Sequence, residues 1–139
     1  MHETAFKGQA FRFLTIPTHR GTVFVPQSDV LNAFCAAMPK MPKEFNEVML
    51  AECIRGTIEA GERQRAVIEG VIEPVISTDA IMTMCQGMNG AIRERKEIKK
   101  AAKGFDDFCT FFADNLGPAL DAFGAPDIFD RMGIQKHFI

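Results

Sequence analysis

Tryptophan and tyrosine are missing altogether from this 139-residue chain, although it carries thirteen phenylalanines. Phenylalanine fills cores without offering a polar handle, and Tyr and Trp are the aromatics favoured at protein interfaces. The composition therefore points to an aromatic core rather than an aromatic binding patch. Cysteine is sparse: Cys35, Cys53, Cys85 and Cys109 form no CxxC pair, and His2, His19 and His137 are scattered. The local spacing of a zinc site is absent, and no metal is expected. All four cysteines have apolar neighbours, where a free thiol behaves as a small buried hydrophobe, so reduced thiols are expected. No apolar run approaches the roughly 20 residues that span a bilayer. The opening MHETAFKGQAFRF lacks the basic start and apolar core of a signal peptide. A soluble cytoplasmic protein without membrane contact is the expectation. Glycine-rich nucleotide loops, HExxH and GxSxG are also absent, so no cofactor is expected and enzyme activity has no positive support.

What is present is ordinary globular material, 47% hydrophobic and 24% charged, with a net charge of −2. This composition indicates one domain over residues 1–139, long enough to bury roughly two-thirds of its unfolded surface. The stretches AFRFLTI and TVFVP, separated by PTHRG, read as a β-hairpin that Pro26 closes. QSDVLNAFCAAM then repeats Val30, Leu31, Phe34, Cys35 and Met38 at helical spacing, with Ser28 as N-cap and Asp29 in the first turn. PKMPK ends that helix. KEFNEVMLAECIRGTIEAG predicts a longer helix with Phe45, Val48, Met49, Ile54 and Ile58 inward and Gly61 as its stop. RQRAVIEGVIEPVIS reads as a second hairpin around Glu69-Gly70, leading to a helix that starts at Thr78 and Asp79.

The two strand-to-helix junctions echo one another: Ser28-Asp29-Val30-Leu31 matches Thr78-Asp79-Ala80-Ile81. Capping and inward apolar spacing explain such an echo without common function. A carboxylate pair formed by Asp29 and Asp79, or a duplicated ββα unit, are the other readings. Residues 1–90 are thus expected to form a ββα-ββα-like core.

Residues 91–139 differ in character. CQGMNG is expected to interrupt or end the preceding helix. Beyond it, AIRERKEIKKAAKG holds six basic residues, Arg93, Arg95, Lys96, Lys99, Lys100 and Lys103, against two acidic ones. Wound as one helix, Arg93, Lys96, Lys99, Lys100 and Lys103 share a face covering roughly a third of the circumference. Arg63 and Arg65 are expected beside it. Such a face is either a solvated surface or a footprint for phosphates or an acidic partner. The segment after it sets Phe105, Phe108, Phe112, Leu116, Leu120 and Phe123 at helical spacing among Asp106, Asp107, Asp114 and Asp121. Gly117-Pro118 is expected to break this stretch into two helices, and Gly124 and Pro126 to set off a short third one, PDIFDRM, which Gly133 stops. The Phe stripe reads as core. Any part left exposed would be a dimer or partner surface.

The opening FKGQAFRFLTIPTHRGTVFVPQSDVLNAF resembles the N-terminal domains of bacteriophage antirepressors and the related Bro proteins of large DNA viruses. Phe6, Gly8, Phe24, Val25, Asp29, Val30 and Leu31 carry the likeness. It spans roughly residues 5–35, with a looser match of pattern at 65–86. The resemblance implies a regulatory protein of a phage or mobile element that binds DNA or a DNA-bound protein. The sequence expectation is therefore a non-enzymatic α+β domain with small hairpins packed by helices and a helical Phe-rich last third. Its basic residues would contact DNA or an acidic partner. The alternative is a small inhibitor that blocks a host protein or defence complex, using Asp106, Asp107, Asp114 and Phe111 as its partner surface.

Overall fold

The computed structural model describes residues 1–57, 63–94 and 99–124, with side chains left out for 88–94 and 99–100. The elements follow the order β1 (His2–Phe6), β2 (Gln9–Ile16), β3 (His19–Pro26), α1 (Gln27–Ala37), α2 (Lys43–Thr57), β4 (Gln64–Ile68), β5 (Val71–Ser77), α3 (Thr78–Glu94) and α4 (Lys99–Phe123). The fold class is α+β: the five strands make one antiparallel sheet in the order β1-β2-β3-β5-β4, packed by helices.

Two turns set the ends of this sheet. Lys7-Gly8 joins β1 to β2 with φ of 48° and 83°, and Glu69-Gly70 joins β4 to β5 with φ of 51° and 80°. A two-residue hairpin with both φ positive matches the twist of the flanking strands, and glycine takes its second position without steric cost. The second hairpin is as the sequence predicts. Strand β1 is an addition: HETAF alternates around Phe6, and Lys7-Gly8 is its turn signal.

Alternation along the strands builds two apolar faces. Phe11, Phe13, Val23, Val25 and Ile76 face the helices and join Val30, Phe34, Ile81, Phe105, Phe108 and Phe112 in the main core. On the other face Leu14, Phe24, Ala66, Ile68 and Val75 make a smaller cluster. The Phe stripe of α4 is core, as expected. Phe108 meets Phe34 edge-on at 5.2 Å, while Phe11 meets Phe111 at 5.3 Å and 90°. These T-shaped contacts explain why the core tolerates so many Phe without a hydroxyl or indole.

Several helix expectations need correction. Val48 is 60% exposed, and α2 turns Asn46, Met49, Leu50, Cys53 and Ile54 inward instead. Ile58 and Gly61 lie outside the described residues. α3 runs through CQGMNG to Glu94 rather than stopping there. α4 runs through Gly117-Pro118 without a break. Phe112 and Ala119, both fully buried, hold it to the core on either side of the proline, so packing outweighs the cost of one missing helical hydrogen bond. Pro126, PDIFDRM and Gly133 lie outside the described residues. Gly104 is where α4 crosses α1. A Cβ there would collide with the carbonyl oxygen of Ala37, so only glycine permits this approach.

Candidate nucleic-acid interface

The two strand-to-helix junctions turn out to work differently. At the first, β3 passes directly into α1, with Pro26 as N-cap and no side-chain cap. Asp29 reaches back to β2. Its carboxylate accepts from the Arg12 backbone N–H at 2.9 Å, from Nε at 3.0 Å and from Nη2 at 2.9 Å. The two side chains are 17% and 5% exposed, and the bond to Asp29 raises the Arg12 pKa further. Asp29 is thus a staple between β2 and α1, not an exposed helix-end charge. Ser28 does not cap either, since its hydroxyl donates to Glu73 at 3.0 Å. At the second junction Ser77, rather than Thr78, is the cap, accepting from the Ala80 N–H at 3.2 Å. Asp79 is exposed while Asp29 is buried, so the two aspartates have different settings, and shared capping by Ser28 and Thr78 does not account for the echo.

Of the expected basic stripe, Arg93 falls in α3 and Lys99, Lys100 and Lys103 in α4. Arg95 and Lys96 lie outside the described residues, as do the side chains of Arg93, Lys99 and Lys100. Lys103 is exposed and lines a cleft of about 570 Å³ with Lys7, Lys40 and Asp107 at the C-terminal end of α1.

Arg63 and Arg65 belong to another cleft, at the opposite end of α1. It has a volume of about 480 Å³ and lies between the C-terminal half of α2 and the β4–β5 hairpin, beside Gln27. Arg55 from the last turn of α2 faces the same space, and Ala51, Ile54, Pro74 and Ile76 form an apolar floor. Arg65 stands on β4 and Arg63 directly precedes that strand, and both line this cleft. Arg65 pairs with Pro74 in the ladder, which offers it no charge. Arg55 holds Glu52 at 3.0 Å on the exposed side of α2. Arg63 and Arg65 make no ion pair among the described residues. No carboxylate is among the cleft's described lining residues. Three guanidinium groups around an apolar floor make a site that accepts phosphate or carboxylate oxygens. Nothing in the sequence marks Arg55 out, because its place three residues after Glu52 reads only as a helix surface pair.

The acidic candidates are partly occupied. Asp107 pairs with Lys7 at 3.8 Å. Phe111 is half-buried, 4.9 Å from the ring of Phe6 at the edge of the core. Asp106 is half-buried and Asp114 exposed.

The cysteines are free thiols, with Cys53 and Cys85 buried and Cys35 and Cys109 half-buried. Burial pushes the Cys53 thiol up to about 11. The hydrogen bond that Cys85 donates to Cys109, together with burial, pushes Cys85 up, and the same bond lowers Cys109. Among the described residues no three His, Cys, Asp or Glu side chains are placed to hold a metal ion. His19 meets Thr18 Oγ1 at 3.0 Å and the ring of Phe24. No helix among the described residues is long and apolar enough to cross a membrane.

No protein-family model matches the chain, and no curated protein or solved structure aligns with it significantly.

Proposed function

We propose that this is a non-enzymatic regulatory protein of a phage or mobile element, acting in the cytoplasm by binding DNA or a DNA-bound protein. The observation that carries the reading is the arginine cleft. Arg63 and Arg65 project, without an ion pair among the described residues, into the same space as Arg55. Arginine forks match phosphate oxygens in pairs, and the apolar floor of Ile54, Pro74 and Ile76 accepts a sugar face. Lys40 and Lys103 in the second cleft extend the positive surface. The clefts sit at the two ends of α1, and its 11 residues separate them by about 15 Å. A duplex contacting both would lie along that helix. Contacts of this kind are made to backbone phosphates and give salt-dependent binding without sequence preference.

Anisotropy of a labelled random-sequence duplex across a salt series tests this. Charge reversal of Arg63 and Arg65 should weaken binding and reduce the salt slope by about two, one for each phosphate that is no longer neutralised. Absence of binding at low salt, or binding indifferent to the reversal, contradicts the reading. The inhibitor alternative has less behind it, because Asp107 is engaged by Lys7 and Phe111 packs at the edge of the core.

A further inference from the structure

The largest apolar side chains left in water are concentrated on one hairpin. Val67 is 70% exposed, Ile72 66% and Val71 58%. Val67 and Ile72 face each other across the β4–β5 ladder. By alternation from Val25 and Ile76 they stand on the helix-side face of the sheet, at an end that no described helix covers. Among the described residues the same hairpin ends the sheet, with β5 as the sole neighbour of β4.

The ladder reveals which backbone groups face outward. Arg65 is opposite Pro74, which has no N–H, so this is a non-hydrogen-bonded pair. Val67, two residues on, is another. The N–H and C=O of both residues therefore point away from β5, along an edge that carries exposed apolar side chains. Proteins normally blunt such an edge with short strands, charge or cover.

We propose that this edge pairs with β4 of a second copy, antiparallel, with the two-fold axis at Val67. This register sets Val67 against its own copy as a hydrogen-bonded pair, with Ile72 flanking it on both sides. Arg65 then lies beside the β4–β5 turn of the second copy, whose first residue is Glu69, and Glu69 lies beside its Arg65. Both pairs are attractive, and both arise from the order Arg65-x-Val67-x-Glu69 in one short segment. On the other face Ala66 meets the second Ile68, so the small cluster they belong to continues across the seam. Shifting the axis to residue 65 would oppose two arginines, and shifting it to residue 66 would set Val67 against Arg65. The result is a ten-stranded sheet built from two five-stranded ones, with the interface the same patch on each copy.

Sedimentation velocity of the full chain over a concentration series tests the pairing. Glu69→Arg alone, which leaves all three arginines of the cleft in place, and Arg65→Glu alone should each weaken self-association roughly tenfold or more. Each replaces two attractive pairs across the seam by two repulsive ones. The double variant R65E/E69R restores the pairs in reverse and should regain the dimer, which a general loss of folding would not allow. A chain that stays monomeric at the highest attainable concentration overturns the proposal. So does a dimer insensitive to the single reversals, or one that the double variant fails to rescue.

Discussion

Replacing Asp29 by alanine should be among the most damaging single changes outside the Phe core. It removes the acceptor of three hydrogen bonds from Arg12, one of them from the backbone. Bonds to charged groups are worth about 1.5–3 kcal/mol each, but three on one carboxylate do not add, and burying both charges opposes them. A better guide is the cost of stranding one member of a buried pair, about 3–5 kcal/mol. Arg12 is 17% exposed and can partly rehydrate, so the lower end, about 3 kcal/mol, is the expectation. A domain of this size loses about 3 °C per kcal/mol, which lowers Tm by about 10 °C. Far-UV circular dichroism is the assay, because the chain has no Trp or Tyr to report by fluorescence. Asp29→Asn, which keeps one acceptor oxygen and the volume, should lose about half as much. A double-mutant cycle with Arg12→Met should give a coupling energy of about 2–3 kcal/mol. A loss under about 1 kcal/mol for Asp29→Ala, or a cycle with no coupling, would refute the staple.

Gly104→Ala forces a Cβ against the Ala37 carbonyl and should cost about 1–3 kcal/mol as α4 lifts from α1; a melting curve matching wild type would contradict that close approach. Raising the pH should destabilise the protein through Cys53. Its thiol holds its proton to about 11 in the fold against 9.0 in the unfolded chain. The contribution is therefore full below pH 9 and lost as pH climbs toward 11. Melting curves over that interval should decline less steeply in Cys53→Ala, and an unchanged slope would count against burial as the cause.

Elements were legible in the sequence where the signals were local. Glu69-Gly70 between two β-rich runs was sufficient for the second hairpin, and the prolines of PKMPK marked the end of α1. Signals that compete were harder. Gly117-Pro118 weighs toward a break, and only the buried neighbours on both sides, which tertiary packing supplies, decide for continuity. Val48 sits at helical spacing from Phe45 and next to Met49, but the pattern does not say how wide the covered stripe is. The role of Asp29 was illegible for a different reason. Its partner lies 17 residues away, and first-turn aspartates look alike whether they face solvent or an arginine. The arginine cleft was half legible: Arg63 and Arg65 stood out as basic, while Arg55 joins them only through the packing of α2 near the hairpin.

The junction between β3 and β5 has a consequence for how the molecule comes apart. It consists of three residue pairs, Phe24 with Ser77, Val25 with Ile76 and Pro26 with Val75, and it links partners about fifty positions apart in the chain. All other strand pairings among the described residues are hairpins between neighbours. The sheet is thus two locally closed units joined by one short, costly seam. Chain-closure entropy makes that seam the last part of the sheet to form. By the same logic it is the first to yield, and the N-terminal strands, with α1 stapled to them, form the unit that keeps its shape when the rest opens.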